Sequence, residues 1–273
     1  MHNKSIIAQG ATYAMLLTSM AFLSAFRSTG NEGPQGTYLR KISSASGQTT
    51  MEYNADRTIK KIVQLRKTEN AGYNDVLLPV YENGRLVKTL SADEEKPAGD
   101  LNTVYAYAAN GKAVQKISYY RNNEVYTQDS LVYNEAGKIS ARYQINKNPQ
   151  KGAWEVSGYQ LYTWNAEGDV AQMDNYGKQP GYSRFVALSS VSYTYDKKQN
   201  PQQLLPELAY ILDMAAPNLS AHNVLTETIS NPHASRTITN TYTYAYGGQF
   251  PVRATFNSGL DNETVKLEWV RLQ

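Results

Sequence analysis

One short phrase recurs along this chain and restricts its fold more than any other feature: an aromatic residue, a small polar turn, a glycine, then an apolar strand flecked with lysine or arginine. The clearest copies are Tyr133-Asn134-Glu135-Ala136-Gly137-Lys138-Ile139, Trp164-Asn165-Ala166-Glu167-Gly168-Asp169-Val170 and Tyr107-Ala108-Ala109-Asn110-Gly111-Lys112-Ala113. A four-residue loop ending in glycine suits a type I turn closed by a G1 bulge, because its last position takes positive φ, which costs glycine almost nothing. Each copy is therefore a predicted β-hairpin: the aromatic residue ends one strand, and the run after glycine begins the next.

Weaker copies extend the series. Tyr53 leads a turn without glycine, Tyr81 leads one that is a residue shorter, Tyr195 leads into Asn200-Pro201, and Tyr246 leads into Gly247-Gly248. The anchors at 53, 81, 107, 133, 164 and 195 are spaced by 28, 26, 26, 31 and 31 residues, and the step to 246 is 51. A near-constant period means one two-strand unit reused, since a lone hairpin cannot bury its apolar face and needs neighbours on both sides. The expected fold is all-β: an antiparallel up-and-down meander of hairpins, closed into a barrel or strongly curled.

The long last step holds the one break in the β pattern. Leu204, Leu205, Leu208, Ile211, Leu212 and Ala215 recur at helical offsets, with Pro206 suited to a first turn and Pro217 to an end, so one short helix is predicted near 202–216. Its apolar stripe needs cover, either the concave face of the sheet or the mouth of a barrel.

The N-terminal residues do not share the repeat. Lys4, the apolar run Ala11 to Leu23 and the small residues Ser24-Ala25 form a secretory signal pattern, read as residues 1–25. Leu23-Ser24-Ala25 also matches the start of a bacterial lipobox, but Phe26 stands where the lipid-bearing cysteine would be, so no lipidation is expected. Residues 26–37, rich in Ser, Thr, Gly, Asn and Pro, read as a flexible tether, and 38–273 as a single β domain. The expected address is outside the cytoplasm, in the periplasm or at the outer membrane or cell surface, with membrane attachment only through an N-terminal anchor.

Several chemistries fall away on composition. The 273 residues contain no cysteine, which removes disulfides, thiolate metal sites and thiol nucleophiles. Lys plus Arg number 27 against 24 Asp plus Glu, a formal charge of +3 without blocks of one sign, so no nucleic-acid partner is implied. The three histidines, His2, His222 and His233, have no metal-binding spacing, and no phosphate loop, dinucleotide fingerprint or nucleophile elbow is present. No cofactor is expected. The acidic loop Ser91 to Asp100 lacks the alternating ligands of a calcium site and reads as a solvated hairpin end.

What remains is aromatic surface, 22 tyrosines among it. Trp154, Tyr159, Tyr162 and Trp164 cluster in sequence, as do Tyr119 and Tyr120, and such side chains suit a glycan, peptide or envelope-protein partner; the competing reading is that they are cross-strand pairs holding the meander together. The expected function is a binding or scaffold module rather than an enzyme, the alternative being a secreted glycosidase using paired carboxylates. An outer-membrane barrel is disfavoured because Arg57 to Ile62 and Lys138 to Arg142 put charges on both faces of their strands.

The glycine-turn hairpins, the phrase Tyr195-Asp196-Lys197-Lys198-Gln199-Asn200-Pro201 before a leucine-rich helix, Ala221-His222-Asn223-Val224 and Tyr242-Thr243-Tyr244 together resemble a secreted and lipoprotein domain of unknown function with a porin-like fold, abundant in Bacteroidetes, and more distantly the Tyr-Asp repeats of Rhs-type shells. The resemblance covers Tyr38 to Gln273. It implies an up-and-down barrel or curled sheet in the cell envelope and carries no functional residues with it.

Overall fold

In the computed structural model, the described residues are 36–272 apart from 68–71, 149–151, 179–181, 234–236 and 260–261. The expected signal segment and most of the tether therefore lie outside the described residues. Sixteen strands follow in order: β1 (Thr37–Ser43), β2 (Gly47–Tyr53), β3 (Ile59–Lys67), β4 (Gly72–Glu82), β5 (Arg85–Ala92), β6 (Asp100–Tyr107), β7 (Val114–Arg121) and β8 (Glu124–Tyr133). The second half comprises β9 (Ile139–Lys147), β10 (Trp154–Trp164), β11 (Val170–Gly177), β12 (Val186–Gln199), β13 (His222–Ser230), β14 (Ile238–Gly247), β15 (Phe250–Asn257) and β16 (Asn262–Arg271). Every strand pairs antiparallel with its sequence neighbours, and β16 closes on β1 through Leu39↔Trp269 and Ile42↔Leu267, giving a closed up-and-down barrel. Closure leaves no free strand edge.

The recurring turns form as their spacing predicts. Asn134 N–H donates to Lys138 O at 2.9 Å, Gly137 N–H donates to Asn134 O at 2.9 Å, and Gly137 sits at φ 72°. Where the repeat lacks glycine, Arg57 takes the same place at φ 71°. A register shift accompanies each anchor, as between Val132 and Tyr133 or Thr163 and Trp164. That extra residue flips the inside-outside parity of the following strand.

The anchor aromatics have a common task. Pairing between each even strand and the odd strand before it stops short of the barrel end, and the aromatic reaches across to the carbonyl left over. β9 and β10 last pair at Ala141↔Leu161; Trp164 then donates its indole N–H to Ile139 O at 2.7 Å. In the same manner Tyr107 Oη donates to Leu86 O at 3.0 Å, Tyr133 to Val114 O at 2.6 Å, Tyr195 to Val170 O at 2.7 Å and Tyr244 to Val224 O at 2.9 Å. Tyr53 to Leu39 O and Trp269 to Pro251 O extend the ring. Seven of the eight even strands thus satisfy a carbonyl that the staggered ladder cannot; in β4 the Tyr81 hydroxyl turns instead to Glu207 Oε1 at 3.4 Å. The anchor in β14 is Tyr244 rather than Tyr246, whose hydroxyl bonds Asp196 instead.

The helical stretch expected at 202–216 is divided into three single turns: a 3-10 turn at Pro201–Leu204, α1 (Leu208–Ile211) and α2 (Ala216–Leu219). Pro206 and Pro217 divide it, because proline offers no N–H to continue a helix. The insert folds inward and plugs the barrel at the end carrying the anchor ring. Leu205 and Leu208 pack on Leu39, Met51, Ile59 and Ile62 of one wall, while Met214 and Ala216 pack on Ile117, Leu131, Val170 and Val191 of the other. Hydroxyls from the wall hold it: Tyr105 Oη donates to Tyr210 O at 3.4 Å, and Tyr162 Oη to Met214 O at 3.0 Å. Asn200 closes the loop at its neck, accepting from Gln202 N–H and donating to Ser220 O at 2.8 Å.

Above the plug, an inward polar belt crosses six strands. Tyr119 Oη and Arg142 Nη2 both donate to Asp129 Oδ2 at 2.7 Å; Arg142 Nη1 reaches Gln160 Oε1 at 3.3 Å; Gln160 donates to Asn175 Oδ1 at 2.9 Å, and Asn175 to Ser189 Oγ at 3.0 Å. Arg142 is therefore turned into the barrel. The bulge after Ile139 sets that parity, so of the charges expected on both faces of this strand Arg142 is an inward one.

Candidate functional site

The six aromatic residues singled out from sequence do not form one surface. Tyr162 and Trp164 point inward, the first holding the plug and the second belonging to the anchor ring, with Lys138 Nζ 4.8 Å from the Trp164 ring. Tyr119 also points inward, to Asp129. Burial pushes the hydroxyl pKa values of Tyr119 and Tyr162 up, so both stay neutral donors. Tyr120 lies on the opposite face to Tyr119. Trp154 stands at the rim away from the plug, 39 % exposed, with Lys147 Nζ 5.6 Å from its ring.

Tyr159 is different. It faces outward and lies directly opposite Tyr143 on β9 and Tyr176 on β11, so three tyrosines form one rung across three strands. The Tyr159 and Tyr176 rings stack at 4.6 Å and 15°, Tyr143 tilts against Tyr159 at 5.8 Å, and Phe185 meets Tyr159 edge-on at 5.1 Å. Aromatic contacts of this kind are worth about 0.5–1.5 kcal/mol each beyond their buried area. Lys178 anchors the cluster's end, its Nζ 5.5 Å from the Phe185 ring and 3.4 Å from Glu155 Oε2.

The rung ends abruptly at Tyr176. Its partner on β12 is Ala187, which has no ring to cover the face of Tyr176 turned away from Tyr159. A groove of about 190 Å³ opens there, bounded by Asp174, Tyr176, Ser190, Ser230 and Asn231 together with Ala187. Gln172 Nε2 holds the Asp174 carboxylate from one side at 2.9 Å, and Ser230 Oγ donates to Ser190 O at 3.2 Å. An aromatic face beside a fixed carboxylate, hydroxyls and an amide is the equipment for a ligand that has both an apolar face and hydroxyls. Sequence clustering drew attention to Tyr159 but not to Tyr143 or Tyr176, each an isolated tyrosine in a polar strand. Only the register brings them together.

One other group has the elements of a site. Atoms of Glu167, Asp169 and His222 lie within 4.8 Å of one another. Asp169 is fully buried and already bonded: Oδ1 accepts the His222 N–H at 2.9 Å, and Oδ2 lies 3.0 Å from His222 Nδ1 and 3.4 Å from Asn165 Nδ2. These bonds fasten the start of β13 beneath the plug, and they account for the cluster as structure.

No family model matches the chain, and no curated protein matches it. Among solved structures, a porin-like protein from Bacteroides uniformis ATCC 8492 aligns with 88 % of this chain and 99 % of its own length at 10 % identity and a TM-score of 0.56. A porin-like protein from Bacteroides vulgatus ATCC 8482 aligns with 85 % of this chain and 98 % of its own at 14 % identity, with a TM-score of 0.40. The all-β barrel fold is therefore shared with the Bacteroides uniformis porin-like protein, whose structure the chain follows over nearly its whole described length.

Proposed function

We propose that this protein is an exported cell-envelope β-barrel that acts by binding, and that its ligand is a carbohydrate stacked on the outward face of Tyr176. The observation that carries the reading is the unfinished aromatic rung: Tyr143, Tyr159 and Tyr176 stiffen one another, and Ala187 leaves the last face open beside Asp174, Ser190, Ser230 and Asn231. Stiff aromatic rings lose little entropy on binding, and neighbouring polar groups supply orientation.

Two features support binding in water over transport through lipid. Lys116, Arg253, Lys266, Glu52 and Glu268 lie exposed on outward-facing strand positions, and a lysine or arginine at a bilayer midplane costs about 2–4 kcal/mol. The plug occupies one barrel mouth. Against hydrolysis by paired carboxylates, the inward Asp129 and Asp169 are taken up by Arg142, Tyr119, His222 and Asn165.

The test is a glycan array followed by calorimetry on any glycan retained. Tyr176→Ala should weaken binding about tenfold or more, which is roughly 1.4 kcal/mol, with unchanged far-ultraviolet circular dichroism. A protein that retains no glycan, or retains one regardless of Tyr176, would refute the proposal.

A further inference from the structure

A second surface lies on the outer wall of β3–β5. Val63, Val76 and Ala92 are paired in one row across three strands, and Leu78 continues the apolar floor along β4. Their opposite neighbours, Ile62 and Leu77, face the plug side of the wall, which fixes this floor as external. The β5–β6 connection, residues 93–97, overhangs it and completes a groove of about 820 Å³, with Asp93, Glu94, Glu95 and Pro97 on one side and Lys61 and Asn74 on the other. This lies within the roughly 300–1,000 Å³ typical of ligand sites.

The charge on the overhang selects the occupant. The loop's own cation is spent, since Lys96 Nζ pairs with Asp100 Oδ2 at 2.7 Å, and the Lys96 N–H donates to Asp93 Oδ1 at 2.6 Å. Among the described residues, neither Glu94 nor Glu95 has an ion-pair partner. A negative rim over an aliphatic floor repels anionic headgroups and attracts a cation that carries aliphatic side chains. The closed barrel offers no strand edge, so a polypeptide cannot add as an extra strand and must dock by its side chains.

We propose that this groove binds a cationic amphipathic helix, laying an aliphatic stripe on Val63, Val76, Leu78 and Ala92 and lysines or arginines against Glu94 and Glu95. The test uses the full chain and a fluorescein-labelled helical peptide of leucine and lysine in heptad spacing, with the matching leucine–glutamate peptide as control, followed by fluorescence anisotropy. The lysine peptide should bind saturably, and added salt should weaken it. The double variant Glu94→Gln/Glu95→Gln should bind about two- to thirtyfold more weakly, the range for two partly exposed ion pairs. Val76→Asp, which places a charge on an outward floor position, should weaken binding at least tenfold without altering circular dichroism. The proposal is overturned if the glutamate peptide binds as well, if the glutamine variant binds the lysine peptide as tightly as wild type, if Val76→Asp is without effect, or if the chain instead partitions onto uncharged phosphatidylcholine vesicles through this groove.

Discussion

Replacing Arg142 with methionine tests whether the inward polar belt holds the barrel wall together. The Asp129 side chain is 2 % exposed, and its Oδ2 receives Arg142 Nη2 at 2.7 Å, Arg142 Nε at 3.0 Å and Tyr119 Oη at 2.7 Å. Methionine keeps most of the arginine's apolar volume but strands a carboxylate in the wall with a single neutral donor. Breaking a buried pair from one side costs about 3–5 kcal/mol, because the remaining charge loses its compensation. In a chain of this size each kcal/mol shifts the melting midpoint by roughly 2–4 °C, so the expected loss is roughly 6–20 °C. Removing the whole network should cost less: Asp129→Leu, Arg142→Met and Tyr119→Phe together leave no orphaned charge or hydroxyl at Asp129, and such apolar replacements are often close to neutral. The assay is urea unfolding followed by intrinsic fluorescence, with thermal circular dichroism as a second probe. If Arg142→Met costs under about 1 kcal/mol, or the triple variant is no more stable than the single one, the wall is not held by this network and the reasoning fails.

Two further outcomes follow from the plug. Tyr133→Phe removes the donor to Val114 O and the contact with Tyr210 Oη, and orphaning a buried carbonyl should cost about 1–3 kcal/mol in the same unfolding assay. Burial pushes the Glu207 carboxyl pKa up from its ordinary 4.5, so the unfolded chain ionises first and stability falls as pH rises through that window. Glu207→Gln should flatten this dependence, gaining on wild type as pH rises above about 4.5 and showing little difference below it; a constant offset at all pH values would show that the buried acid is not responsible.

The repeat was legible because a bulged four-residue turn needs particular residues at particular places; it forms at Tyr133 and Trp164 as the spacing requires, and after Tyr107 one residue wider, closed by Ala108 N–H on Ala113 O. Long-range consequences of that turn were not. Alternation alone puts Tyr244 and Tyr246 on the same face, and nothing local chooses which one reaches the leftover carbonyl. Trp269 escaped the pattern altogether, since β16 returns to β1 instead of entering another glycine turn. Each bulge also shifts parity by one residue. Sequence alone therefore gives Arg142 no definite face, and proximity groups Tyr159 with Tyr162 and Trp164 although the wall divides them. The candidate site depends on register across three strands, Tyr143↔Tyr159↔Tyr176, which sequence proximity cannot convey.

The 51-residue step shows why barrel and plug form one object. At the other bulged turns the chain crosses between strands in a few residues; after β12 it spends Asn200 to Ala221 inside the mouth before β13 begins. A sixteen-stranded barrel is wide enough to leave a water-filled channel unless something fills it. Here the filler is bonded to the wall that it fills. Tyr81, Tyr105, Tyr133 and Tyr162 each direct a hydroxyl to the insert, and Ser220 Oγ lies between Val170 N and Tyr195 Oη, at 3.1 and 2.9 Å. Tyr133 and Tyr195 also belong to the anchor ring, so the same residues close the ladder and seat the plug. Withdrawing the insert would expose two apolar walls and remove the insert-side partners of the Tyr81, Tyr105 and Tyr162 hydroxyls, each about 1–3 kcal/mol if left buried without a partner. The plug is therefore the core of this end of the fold, and any ligand of the intact barrel must meet its outer wall or its opposite mouth.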